Sequence, residues 1–529
     1  MAGLKRYFFT DKIDNQCIAM ITNHNDHFSI TTLDCRTNEL ILINEIITAS
    51  PKDFVDNIDS IFGNKGFKAI FFNIFKLKSP EFSNNLELCK IIKSKFNKLN
   101  IECYFMTNMG YIITCFLIAS KITVKEGEEV VVFTMIDKLL NVSRFCYTKN
   151  GYKLVKQVGI EIDEENAEIN REKIFENSNP KHVIFFQDSA KNQKTTKFLH
   201  DSIFVKNDNL IKVDFNLLAE IEKKFLTEML KWLNDKTFTK FHVIPFNVEK
   251  FCQFIKIGNK LCNRSMDLRF ALLPLIKKKY VPSLDLEYSV GYIGDSTEEN
   301  VILEKIPFKK ECHKHEIILS IDDQHFLDIQ KKPIMLEEIC KFPSYLNKNM
   351  KEVKVPVIGF FDFSSVICYH NDNKNGYEFV EKWNGLYGKP LFISFDKEKP
   401  HYCESAFEVY KEKPNFVVSH LIDIISQGPE IINYKNDTCG FTLTKDSENP
   451  ILLEFDTFVG IKKMATPTFL MALMLKEHLK VIKAETGEKP KSLGFYLFDK
   501  FDPDAKERIE KSLEESCKLL KIGFEMVQF

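Results

Sequence analysis

No Cys-x-x-Cys pair occurs in the 529 residues, although fourteen cysteines are present. Without one, neither a zinc ribbon nor a thioredoxin-type redox centre is supported. A surplus of one charge is also missing, since 73 Lys and Arg meet 74 Asp and Glu for a formal charge of −1. A dedicated nucleic-acid binder carries a basic surplus or a basic face, so nucleic acid is not an expected partner. Residues 1–11 contain no hydrophobic leader. With no route to an oxidising compartment, the cysteines read as reduced, buried small hydrophobes of a cytoplasmic protein. The most apolar run, 111–119, falls far short of the roughly 20 residues a membrane span needs, which removes the membrane as a partner. Tryptophan is nearly absent, 2 against 48 Phe. Phe fills cores, whereas an aromatic binding surface draws more on Trp and Tyr.

What is present is the composition of an ordinary folded protein, 44% apolar and 28% charged. At about 150 residues per domain, the length suggests three or four domains, enough to bury a large core without staples. The first stretch predicts hairpin-like strands at 7–9, 17–21 and 27–33, then a strand at 39–46. Ser50-Pro51-Lys52-Asp53 opens a helix with Phe54, Ile58, Ile61 and Phe62 on one face and Gly63 near its end. Strands at 67–75, 101–106 and 130–133 alternate with helices at 86–99 and 111–122. The same order restarts near 355, with strands at 355–361, 365–369 and 390–395. A helix at 467–483, a strand at 493–498, a helix at 503–520 and a strand at 524–529 complete it. Repetition of a supersecondary order at this scale is evidence of a duplicated unit. Between the copies, 288–330 reads as short antiparallel strands and 332–354 as a Lys-rich linker. His313 and His315, beside Cys312, have ligand chemistry but no second Cys/His pair close by, and are read as a surface strand.

The pattern resembles the heat-shock 70-kilodalton chaperones and their actin-like, ribonuclease-H-like ATPase fold. In the C-terminal copy, Gly359-Phe360-Phe361-Asp362-Phe363-Ser364-Ser365 is similar to the family's first phosphate loop, Asp-Leu-Gly-Thr-Thr. Residues 487–527 resemble its strand, Asn-Asp-x-Gln-Arg turn and helix, with Arg508 at the Arg. In the N-terminal copy, residues 133–143 match the second phosphate loop without a gap. Thr10, Lys12, Ile13 and Asp14 stand at the first loop, and residues 183–194 at the adenosine-side strand and turn. Tyr288-Ser289-Val290-Gly291 and residues 306–310 resemble the opening of the substrate-binding β domain. The resemblance implies an α/β chain with about one and a half actin-like copies and a small antiparallel β domain between them. Its parts would be an ATPase-type domain at 1–280 with a shortened second lobe, a β unit at 281–331, a linker at 332–354, and a half domain at 355–529 with only its first lobe.

The resemblance also carries departures. Glycines of a phosphate loop let backbone amides approach the phosphates, often at positive φ. Ile136, Asp137 and Lys138 replace all three in the second loop, and Ile is poorly suited to positive φ. Thr134 stands at the metal-side Asp, and Gln187-Asp188-Ser189 at the adenosine Gly-Gly-Ser. Leu421 falls where the family has its catalytic lysine, which removes the charge that polarises the attacking water. The nucleotide-binding candidates are therefore Asp362, Ser364, Ser365, Thr134, Asp137, Lys138 and Ser189. Asp362 is either a water-mediated magnesium ligand or a solvated turn residue, and Lys138 either a phosphate neutraliser or a charged turn tip. Three functions follow from the resemblance. One is a pseudo-ATPase that binds unfolded clients or co-chaperones with little or no ATP and magnesium chemistry. The second is a working ATP-dependent chaperone, and the third a passive interaction platform.

Overall fold

Strand Cys17–His24 is paired on both sides, antiparallel to His27–Asp34 and parallel to Phe67–Asn73. A computed structural model describes residues 16–528 apart from 25–26, 42–45, 48–49, 78, 137–138, 164–165, 177, 187–196, 205–208, 215–216, 219, 258, 267, 285, 294–299, 309–310, 351–353 and 430–439. The first sheet runs Leu40–Ile41, His27–Asp34, Cys17–His24, Phe67–Asn73, Glu102–Phe105. Phe67–Asn73 is buried along nearly its whole length, as a parallel strand covered on both faces must be. Helix Pro51–Phe62 supplies one cover. Ser50 accepts from the Asp53 amide, and Pro51 sits in the first turn, where its missing N–H costs nothing. Phe54, Ile58 and Phe62 then join Ile70 and Phe72 in one core.

A second sheet repeats this plan. Its order is Leu210–Val213, His182–Phe186, Glu129–Ile136, Leu139–Thr148, Gly151–Glu161, antiparallel on one side of Glu129–Ile136 and parallel on the other. Helices Asn108–Ser120 and Ile221–Asn234 pack between the two sheets. Their Leu117 and Phe225 share a core with Met20 and Phe71 of the first sheet and Val132 and Phe145 of the second. A third sheet has the same plan again, Gly376–Phe379, Ser364–Asn371, Val357–Phe361, Ser492–Leu497, Gly523–Met526. Between its third strand and the helix Pro467–Thr486 lies an insertion holding two three-stranded antiparallel sheets. The chain is thus mixed α/β, and none of its described helices is long and apolar enough to cross a membrane.

Several elements differ from the sequence reading. Cys17–His24, expected as a second hairpin strand, is the central one, and residues 7–9 and 10–14 lie outside the described residues. In the third sheet the third strand is Gly376–Phe379, closed by a turn through Asn375 at φ +51°. Asn-Gly tolerates that conformation and favours a tight hairpin. Of the expected strand at 390–395, Lys389–Pro390 pairs at the edge and Ile393–Ser394 belongs to another sheet.

The β unit begins at Lys250 rather than 281. Lys250–Ile257 pairs with Glu287–Ile293, and Leu275–Pro282 with Lys314–Ile321, so a boundary at 281 would cut two ladders. The stretch read as a linker is folded. Strand Leu327–Ile334 enters it, and helices Glu337–Cys340 and Phe342–Asn349 follow. Ile339, Phe342 and Leu346 are fully buried against Val357, Val366 and Cys368. Spaced lysines masked that apolar stripe. His313 and His315 are buried, not on a surface strand. His313 donates from Nε2 to the Leu386 carbonyl at 2.7 Å and accepts at Nδ1 from the Leu336 amide at 2.8 Å.

Candidate functional site

Each five-stranded plan brings its first hairpin turn to the C-terminal ends of its parallel strands, where ligands of such sheets bind. In the second sheet, pairing runs without interruption from Glu129↔Cys146 through Thr134↔Asn141 to Ile136↔Leu139. Only residues 137 and 138 stand outside the ladder, and they lie outside the described residues. Thr134 is half-buried within the ladder. Ser189 also falls outside the described residues.

The third sheet's turn is just as short, since Phe361↔Ser364 closes around Asp362 and Phe363. Asp362 takes φ +45°, a conformation that Asp tolerates better than most residues. Its amide donates to Asp499 Oδ2 at 2.5 Å. Asp499 follows the strand Ser492–Leu497, the parallel neighbour of Val357–Phe361, so adjacent strand ends place the two carboxylates together. Lys314, at the start of a β-unit strand, sets Nζ 3.1 Å from Asp362 Oδ1 and 3.6 Å from Asp499 Oδ1. Burial raises the Asp362 carboxyl above its ordinary range, Lys314 opposes that, and Asp499 adds to it. Asp362 Oδ2 is buried without a hydrogen-bond partner.

Asp423 joins this cluster electrostatically from the helix Leu421–Ser426. It is solvent-exposed on one side yet crowded by protein. Desolvation first, and then the charges of Asp499 and Asp362, push it up to about 6. The Lys314 ammonium lies between the Asp362 and Asp499 carboxylates of this cluster. Among the described residues no three His, Cys, Asp or Glu are placed to hold a metal ion.

The remaining candidates disperse. Ser364 is half-buried at the turn. Ser365 is fully buried, and its hydroxyl donates to His478 Nε2 at 2.9 Å. His478 Nδ1 donates to the Met474 carbonyl at 2.8 Å, and Trp383 Nε1 donates to the Ser365 carbonyl at 2.9 Å. A serine and an oriented histidine make a nucleophile–base geometry, but both are 0% exposed, so this trio is a core lock. Leu421 is buried in the core beside Ile393 and Leu470. Arg508 donates from Nε and Nη2 to the Ser426 carbonyl at 2.8 and 2.6 Å, ending that short helix.

Asp499, Asp423 and Lys314 were missed in the sequence. Asp499 had a signal, because Phe498-Asp499 ends its strand as Phe361-Asp362 ends the neighbouring one. Lys314 had none, because it reaches the cluster from another unit. Compared with models of known protein families and with curated proteins, the chain matches none.

Proposed function

We propose that the chain is a divergent relative of the heat-shock 70-kilodalton chaperones, built on one and a half copies of the actin-like, ribonuclease-H-like fold. It acts as a pseudo-ATPase that binds unfolded proteins or co-chaperones and turns ATP over feebly or not at all. The observation that carries this reading is the sequence after strand Glu129–Ile136, where Ile136, Asp137 and Lys138 stand in place of the three glycines of the family's second phosphate loop. The strand plan shared by three sheets supports the fold assignment. The seven-stranded β unit packed between them supports the comparison with a substrate-binding β domain. Protein binding is supported by the hairpin turn after Leu452–Asp456. There Phe458, Val459, Ile461 and Met464 are 50, 52, 59 and 57% exposed, and an apolar patch rimmed by polar groups commonly marks a protein contact.

Titration with Mg-ATP is expected to give no saturable heat and no phosphate release above the blank. Micromolar binding with turnover would defeat the pseudo-ATPase reading. A reduced, unfolded client is expected to be captured by the wild type and lost by Phe458→Asp with Ile461→Asp. Equal capture by both proteins would remove the turn from the binding surface.

A further inference from the structure

We propose that a cavity between the first sheet, the helix Ile221–Asn234 and the β-unit turn 322–325 is a binding site for a small, uncharged, planar aromatic molecule carrying one N–H or O–H donor. The cavity measures about 180 Å³, and its walls include Phe71, Tyr104, Phe225 and Trp232. Phe71 stacks on Tyr104 at 5.3 Å and meets Phe225 edge-on at 5.9 Å. The walls thus offer both ring faces and ring edges, the two geometries in which an aromatic guest packs best. An apolar protein cavity of about 150 Å³ holds a benzene ring, so this one has room for a fused bicycle.

The polar side of the cavity sets the rest of the guest. Gln324 lines the cavity, and its Oε1 is buried with no hydrogen-bond partner. A carbonyl oxygen only accepts, so once the Gln324 side chain turns toward the space it calls for a donor on the guest. His242 and His325 also line the cavity, and burial pushes both down to about 4, leaving them neutral. Lys236 sets Nζ 3.2 Å from the Trp232 ring centre and 4.6 Å from that of Tyr104. The cation slot over those rings is filled by the chain's own ammonium, which disfavours a cationic guest.

Calorimetric titration of the full chain with indole, 1-methylindole and tryptamine tests this. Indole is expected to bind saturably at one site, with 1-methylindole and tryptamine each at least tenfold weaker. Gln324→Leu is expected to erase the difference between indole and 1-methylindole. The comparison in the wild type requires no variant. No saturable binding of indole up to its solubility would overturn the site. Equal binding of indole and 1-methylindole by the wild type would overturn the donor requirement, and tryptamine binding as tightly as indole would overturn the need for an uncharged guest.

Discussion

Lys314 is where one side chain's charge matters most. It reaches from the β unit to two carboxylates that adjacent parallel strands force together, at 3.1 and 3.6 Å. Its side chain is only 20% exposed, so solvent does little to replace it. Lys314→Met keeps the aliphatic stem and leaves Asp362 and Asp499 facing each other unneutralised. The expected cost at pH 7 is about 1–3 kcal/mol, the range for losing a charged hydrogen-bond partner. The sign with pH follows from Asp362, whose carboxyl is already raised and rises further without the lysine. A raised carboxyl is tolerated once protonated, so the deficit should shrink as pH falls toward 4.5. Denaturant midpoints of wild type and variant at both pH values measure it, and a deficit unchanged by pH would assign the loss to packing.

At the scale of elements, the segment 241–246 depends on one glycine. Gly151 takes φ +114°, and a Cβ there would lie 2.3 Å from the His242 carbonyl oxygen. That contact lets Tyr152 donate to His242 and accept from Ile244, at 2.8 and 2.9 Å, docking the segment along strand Gly151–Glu161. Gly151→Ala should cost about 2 kcal/mol or more, because both the backbone conformation and the close approach are lost. It should also open 235–250 to limited proteolysis, and unchanged protection would show that the segment is held from elsewhere.

The sequence announced some elements and hid others for physical reasons. Ser50-Pro51-Lys52-Asp53 and the continuous run at Phe67–Asn73 declare a capped helix and a two-face-buried strand by local chemistry alone. Gly376–Phe379 was overlooked in favour of the more apolar 390–395, although Asn375-Gly376 is the stronger hairpin signal. The carboxylate cluster was half legible. Asp362 follows a visible strand, whereas Asp423 and Lys314 arrive through the insertion and the β unit, which no local pattern relates to it.

For the whole molecule, burial of histidine sets the response to acid. His242, His315, His325, His420 and His478 lie on different units, and burial pushes each from 6.5 down to about 4. Between those values the unfolded chain binds protons that the folded chain refuses. Stability is therefore full above about 6.5 and falls as pH drops toward 4. Asp423 works against this, because its carboxyl, raised to about 6, takes up a proton in the folded state. Asp362, whose carboxyl is also raised, acts in the same direction as Asp423, but two opposing groups cannot offset five, even when the half-exposed histidines are discounted for solvent screening. Unfolding near pH 5.3 should take up about two to four protons, measurable from calorimetric enthalpies in buffers of different ionisation heat. The thermal midpoint should fall steadily from pH 6.5 to 4.5. A flat or rising midpoint across that window would mean that water reaches these rings and that the cores around them are looser than their packing indicates.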